Sequence, residues 1–279
     1  MNRISVDVPS EEQMKETLRG FFRDSGFSVE DIEETDVERA DFLIANDSET
    51  TILELKIKGE DEEELADRRE VLDSGSVYSR SESSLRRNRM SGLVKKGVSQ
   101  LVETPGNADF RILWLHGAGR YGEHHETRWA ATLYGRRLLI HTEDEHDDRY
   151  CYYFDNSEFF RHREVLTAAV VSFEGRCQLC INDLHPNADA FRESSFRKLF
   201  DEGYVDPVEF EQKGDAYVVD GTVDRRDEMA VTRFIIDKYK CGMVQSLDLA
   251  LQSVEVAVHP RPRGTTPSKP GIASDKTSP

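Results

Sequence analysis

Two apolar runs flank a polar cluster between Ala40 and Lys58. The first is Ala40-Asp41-Phe42-Leu43-Ile44-Ala45 and the second Thr51-Ile52-Leu53-Glu54-Leu55-Lys56-Ile57-Lys58, with Asn46-Asp47-Ser48-Glu49-Thr50 between them. Two β-rich runs around a polar turn predict a hairpin. Strand side chains alternate, so Glu54 and Lys56 share one face and Leu53, Leu55 and Ile57 the other. Ahead of the hairpin, Ser10-Glu11-Glu12-Gln13 has the form of a capping box, and Met14, Leu18, Phe21 and Phe22 follow at helical spacing up to Gly26. Glu11 falls on the same side of that helix as Met14, Leu18 and Phe22. Short strand beginnings are read at Phe27–Val29 and Val37–Arg39. The acidic stretch from Glu60 to Asp73 reads as a solvated helix, and the Ser/Arg-rich stretch from Ser79 to Arg89 as a mobile loop. A helix over Ser91–Glu103 is stopped at Pro105-Gly106-Asn107. Asp109–His116 is an almost continuous apolar run, which predicts a central buried strand.

Gly117-Ala118-Gly119-Arg120-Tyr121-Gly122 follows that strand with dinucleotide-fingerprint spacing. No second βαβ unit with a suitably placed acid accompanies it, so a polar loop through Glu126 is expected. His124 and His125 are adjacent and point apart, which argues against a metal site with Glu126. A short helix is read at Trp129–Tyr134, a strand pair at Leu138–His141 and Tyr150–Phe154, and a hairpin from Val165–Phe173 to Arg176–Ile181 turning at Glu174-Gly175. Cys177 and Cys180 have CxxC spacing, but on a strand they face opposite sides and read as structural cysteines. Beyond Pro186 come a helix at Ser195–Phe200, a hairpin of Val208–Glu211 with Tyr217–Val219, a helix at Glu228–Tyr239, and apolar-rich segments to Val258. From His259 the composition is Pro-, Gly- and Ser-rich. The implied organisation is a domain over 1–186, an α+β region of unassigned role over 187–258, read as a small α+β or winged-helix-like unit or equally as the far wall of the first core, and a disordered tail over 259–279.

The chain has 279 residues and a net charge of −17. No apolar run approaches the roughly 20 residues a membrane helix requires. Met1–Asp7 has no apolar signal core and four cysteines make no disulfide framework, so a reduced, cytoplasmic protein is expected. The acidic balance runs against polyanion binding, which draws its affinity from phosphate neutralisation. Arginine nevertheless outnumbers lysine 26 to 11, and residues 76–100 carry Arg80, Arg86, Arg87, Arg89, Lys95 and Lys96 against one acid, Glu82.

The hairpin places Asp41, Glu54 and Lys56 in one small space. Two carboxylates suit a hard cation such as Mg²⁺ or Mn²⁺, and a nearby ammonium can orient a water or offset charge. Asp-x12-Glu-x-Lys resembles the PD-(D/E)xK nuclease superfamily, with Ala40 where the family pattern has proline. The order helix, strand, strand with Asp, strand with Glu-x-Lys, helix with Gln and apolar strand is similar to that family's core over residues 10–116. The resemblance implies an α/β or α+β restriction-endonuclease-like fold, a mixed sheet flanked by helices with a smaller C-terminal α+β unit. It implies a metal-dependent endonuclease acting on nucleic acid, DNA before RNA. Asp41 and Glu54 would hold the ion, the Leu55 carbonyl would be a further ligand, Lys56 would position the water, and Glu11 and Gln100 would support. Glu12 and Glu16 rival Glu11, which also reads simply as a helix N-terminal acid. Arg86, Arg87, Arg89, Lys95 and Lys96 would track phosphates, with a homodimer left open and no membrane partner. Two alternatives stand beside this: a catalytically inactive protein on the same fold serving as a binding module, and an unrelated α+β protein whose hairpin imitates the motif.

Overall fold

The first helix forms because both halves of its capping box close. Ser10 Oγ accepts from Gln13 N at 3.2 Å and Gln13 Oε1 accepts from Ser10 N at 2.7 Å. Its buried stripe of Met14, Leu18 and Phe22 then fixes which face meets the sheet. The computed structural model describes residues 9–33, 36–83, 88–119, 122–142, 148–201, 203–248 and 250–256. Arg86, Arg87 and the expected tail over 259–279 lie outside the described residues.

In chain order the elements begin with α1 (Glu11–Asp24), β1 (Ser28–Asp31), β2 (Phe42–Ala45), β3 (Thr50–Lys58), α2 (Glu62–Asp73), β4 (Val77–Ser83), α3 (Asn88–Glu103) and β5 (Phe110–Gly117). There follow α4 (Gly122–Tyr134), β6 (Arg137–His141), β7 (Arg149–Tyr152), α5 (Glu158–Arg161), β8 (Ala168–Phe173) and β9 (Arg176–Ile181). The last are α6 (Ala188–Glu193), α7 (Ser195–Lys198), β10 (Tyr204–Val205), α8 (Pro207–Lys213), β11 (Ala216–Val218), α9 (Glu228–Tyr239), β12 (Val244–Leu247) and β13 (Ala250–Val256).

A seven-stranded mixed sheet runs in the order β1-β2-β3-β5-β8-β9-β10. β3, β5 and β8 are parallel neighbours, and β2 joins β3 as the antiparallel hairpin, Phe42 opposite Leu53 and Ala45 opposite Thr50. Alternation along β5 assigns the two faces. Ile112 and Trp114 pack with Phe22 of α1, Phe191 of α6 and Phe196 of α7. Leu113 and Leu115 pack with Val94, Val98 and Leu101 of α3 and Trp129 and Leu133 of α4. The architecture is therefore mixed α/β, a multi-strand sheet flanked by helices on both faces. A four-stranded sheet, β11-β7-β6-β12, and a two-stranded ribbon, β13-β4, complete it.

Several local expectations change. The polar stretch Glu123–Glu126 belongs to α4 rather than to a loop, because His125 and Arg128 are buried on the same turn as the apolar Trp129. Ser79–Ser83 is strand rather than loop: β4 pairs with β13, a partner supplied from far along the chain. Val208–Glu211 alternates like a strand but is helix α8. Asp206 caps it by accepting from Val208 N at 3.1 Å, Pro207 opens it, and Gly214 closes it at φ 78°. Among the described residues, the strands beyond residue 186 do not pair among themselves. β10 extends the main sheet, β11 and β12 pair with β7 and β6, and β13 pairs with β4. Among the described residues no helix is long and apolar enough to cross a membrane.

Candidate active site

β2 is shorter than β3, and its first residue, Phe42, stands opposite Leu53. Beyond Leu53 the β2 side of β3 has no strand partner, and Asp41 takes that place. Its N–H donates to the Leu53 carbonyl at 3.1 Å, and its Oδ2 accepts from Leu55 N at 2.7 Å. The backbone of Leu55 is therefore turned toward Asp41, while Glu54 and Lys56 alternate onto the face that carries Ile52 and meets α3. α3 approaches closely at Gly97. A Cβ there would lie 2.6 Å from Leu113 Cδ2 and 3.5 Å from Glu54 Cγ, so glycine lets Lys96 and Gln100 overhang the strand.

One cavity of about 480 Å³ collects the chemistry. Glu11, Asp41, Glu54, Lys56, Lys96 and Gln100 all line it. Glu54 is 1% exposed, and its Oε1 accepts from the Lys56 ammonium. Its Oε2 is buried without a hydrogen-bond partner. Burial pushes the Glu54 carboxyl up to about 8, the nearby Asp41 charge adds to the rise, and the Lys56 charge opposes it. Asp41 is also close enough to hydrogen-bond with the protonated Glu54 carboxyl.

Gln100 donates from Nε2 to the Arg39 carbonyl at 3.0 Å, and its Oε1 is buried without a partner. Ala40 donates its N–H to Thr104 Oγ1 of the chain just after α3 at 2.8 Å. A proline at this position could not make that bond, which ties the hairpin to the α3 end. Glu11 is reached through a helical neighbour: Lys15 bonds Glu11 Oε1 at 2.9 Å and Asp41 Oδ1 at 2.6 Å. Burial draws the Lys15 pKa down, but its bonds to Asp41 and Glu11 outweigh this and raise it.

Two contributors were passed over in the sequence. Lys15 carried a faint signal, the i,i+4 pairing with Glu11 in the first turn. Arg39 lines the cavity with its Nε buried and without a hydrogen-bond partner. The expected phosphate-tracking residues separate. Lys96 lines the cavity and pairs with Glu38 at 3.1 Å. Lys95 is exposed on α3 and does not line it, and Arg89 pairs with Asp61 at 2.6 Å in a different cavity.

The donor set is two carboxyl groups close enough to share a proton and the Leu55 backbone turned the same way. That set fits Mg²⁺ or Mn²⁺, which takes one or two carboxylates and keeps waters for its remaining positions. Among the described residues no group of three or more His, Cys, Asp or Glu side chains is arranged to hold a metal ion. The chain matches no protein-family model, no curated protein and no solved structure.

Proposed function

We propose that the chain has a restriction-endonuclease-like core and is a metal-dependent endonuclease that hydrolyses phosphodiester bonds, DNA before RNA. The observation that carries this reading is the convergence of Asp41, Glu54, Lys56, Gln100 and Glu11 on one cavity, from three separate elements and the segment before β2. Asp41 and Glu54 would hold the ion, with the Leu55 carbonyl within the same corner. Bound there, the ion supplies a lowered water pKa and neutralises phosphoryl charge. Lys56 holds Glu54 in place and presents an ammonium to the cavity, where it orients the attacking water and offsets negative charge. Arg39 and Lys96 supply cations at the cavity wall for the flanking phosphates.

One observation favours a second reading. The ammonium groups of Lys15 and Lys56 sit on Asp41 and Glu54, so each carboxyl group already has a partner within the protein. A catalytically inactive protein of this fold, acting as a binding module, would keep such pairs. The test is incubation of purified protein with supercoiled plasmid in Mg²⁺ or Mn²⁺, with EDTA controls, beside Lys56→Ala and Asp41→Asn. Nicking that requires the metal and is lost in both variants supports the nuclease. Metal-independent DNA retention without cleavage supports the binding module.

A further inference from the structure

Glu54 and Lys56 are followed on the same face of β3 by Lys58, which belongs to a second cavity of about 330 Å³. This cavity lies at the carboxyl end of β3, between α2, β4, the start of α3 and α4, the kind of place where open α/β sheets bind ligands. Three of its four carboxylates are engaged by guanidinium groups. Arg80 forms ion pairs with Glu64 at 2.6 Å and Glu82 at 3.1 Å, and Arg128 donates to the same Glu82 at 2.8 Å. Arg89 takes Asp61, and Glu60 lies against the backbone of Gly119.

Two polar groups on the cavity wall are left over. The Lys58 ammonium donates to its neighbour's carbonyl, Gly59 O, at 2.7 Å and makes no ion pair among the described residues. His125 is 3% exposed and its Nδ1 has no hydrogen-bond partner among the described residues. Burial, with Lys58, Arg128 and Arg80 adding to it, pulls the His125 pKa down to about 3, so the ring is neutral. Burial likewise lowers Lys58, with Arg89 and Arg128 acting in the same direction and Asp61 and Glu64 against it. A half-buried ammonium without a carboxylate and a desolvated imidazole without a partner are costly to keep unless a ligand answers them.

We propose that this cavity binds an oxyanion of the phosphate class, held by Lys58 and His125 with Arg128 and Arg80 as the flanking cations. The ammonium supplies a point charge, the guanidinium groups a field already fixed in position by Glu82, and the imidazole a neutral donor to one oxygen. A tetrahedral oxyanion satisfies several converging donors at once, and the volume is at the lower end of ordinary ligand sites, enough for the anion with a small substituent. The site stands on its own residues and does not depend on the nuclease reading. Its oxyanion has two sources, a free or small-ester phosphate and a phosphate of a strand lying across the neighbouring cavity.

The experiment is thermal unfolding of the full chain titrated with sodium phosphate against sodium chloride at matched ionic strength. Wild type should gain a saturable rise in Tm with phosphate. Lys58→Met and His125→Leu should each weaken the phosphate response at least tenfold. Each replaces a desolvated polar group by an apolar one, so Tm without phosphate should hold or rise, which separates lost binding from lost folding. Asp41→Asn should keep the full response, whether or not the chain cleaves DNA. A short DNA duplex that suppresses the phosphate response identifies the strand as the source; a duplex without effect identifies the small anion. No saturable response at tens of millimolar phosphate, or an unchanged response in Lys58→Met, overturns the proposal.

Discussion

Replacing Glu54 by Gln turns the buried carboxyl into a direct readout of the site's electrostatics. Glu54 is 1% exposed and its pKa is pushed from 4.5 up to about 8, by burial first and the Asp41 charge second. An acid raised on folding binds more protons in the native state than in the unfolded chain. Stability is then highest below the unfolded value of 4.5 and is lost as pH climbs to about 8. One extra proton corresponds to ~1.4 kcal/mol per pH unit, so the interval amounts to on the order of 5 kcal/mol. Gln cannot titrate, and every other group is common to both proteins, so the stability difference between them isolates Glu54. Below about pH 8 the wild-type carboxyl is itself largely protonated, so Gln keeps a neutral acceptor for Lys56 and only the slope is read. The assay is urea unfolding of both proteins in EDTA at several pH values. Wild type should lose ground to Glu54→Gln by ~1.4 kcal/mol per unit between about pH 5 and 8 and then level off. A stability difference independent of pH would refute the reasoning. Saturating Mn²⁺ should abolish the slope in wild type, because the cation replaces the proton.

Lys15→Met removes the ammonium 2.6 Å from Asp41 Oδ1; Mn²⁺ affinity by calorimetry should rise severalfold, and an unchanged or weaker affinity would show that Lys15 does not compete with the ion. Ala40→Pro deletes the N–H that meets Thr104 Oγ1 at 2.8 Å, while that hydroxyl keeps its bond to the Gln100 carbonyl; the lost hydrogen bond should cost about 1 kcal/mol of stability by denaturant unfolding, and a neutral result would mean the bond is dispensable.

The triad Asp41, Glu54 and Lys56 was legible because both facts it needs are local: the two-residue period of a strand and the register of a short hairpin. The capping box and the periodicity before Pro105 placed Glu11 and Gln100 on their helices, but only the resemblance directed them toward the site. Lys15 was not, because its reach to Asp41 depends on how α1 lies over the sheet, a packing angle that no local pattern carries. His125 was hidden in a polar stretch whose helicity comes from burial against the core rather than from its own composition. α8 was misread because the alternation of Val208-Glu209-Phe210-Glu211 outweighed the Asp206-Pro207 start signal beside it. The pairing of β4 with β13 joins Val77 to Val256, and the pairing of β10 with β9 joins Tyr204 to Leu179. Strand partners are chosen by tertiary fit, so a boundary drawn after residue 186 from composition says little about which strands share a sheet.

The most direct test is a crystal soaked in Mn²⁺ and measured at the manganese edge. An anomalous peak about 2.1–2.2 Å from an oxygen of both Asp41 and Glu54, with Lys15 withdrawn from Asp41, is the expected result. Both carboxylates still held by Lys15 and Lys56, and no anomalous density between them, would contradict it.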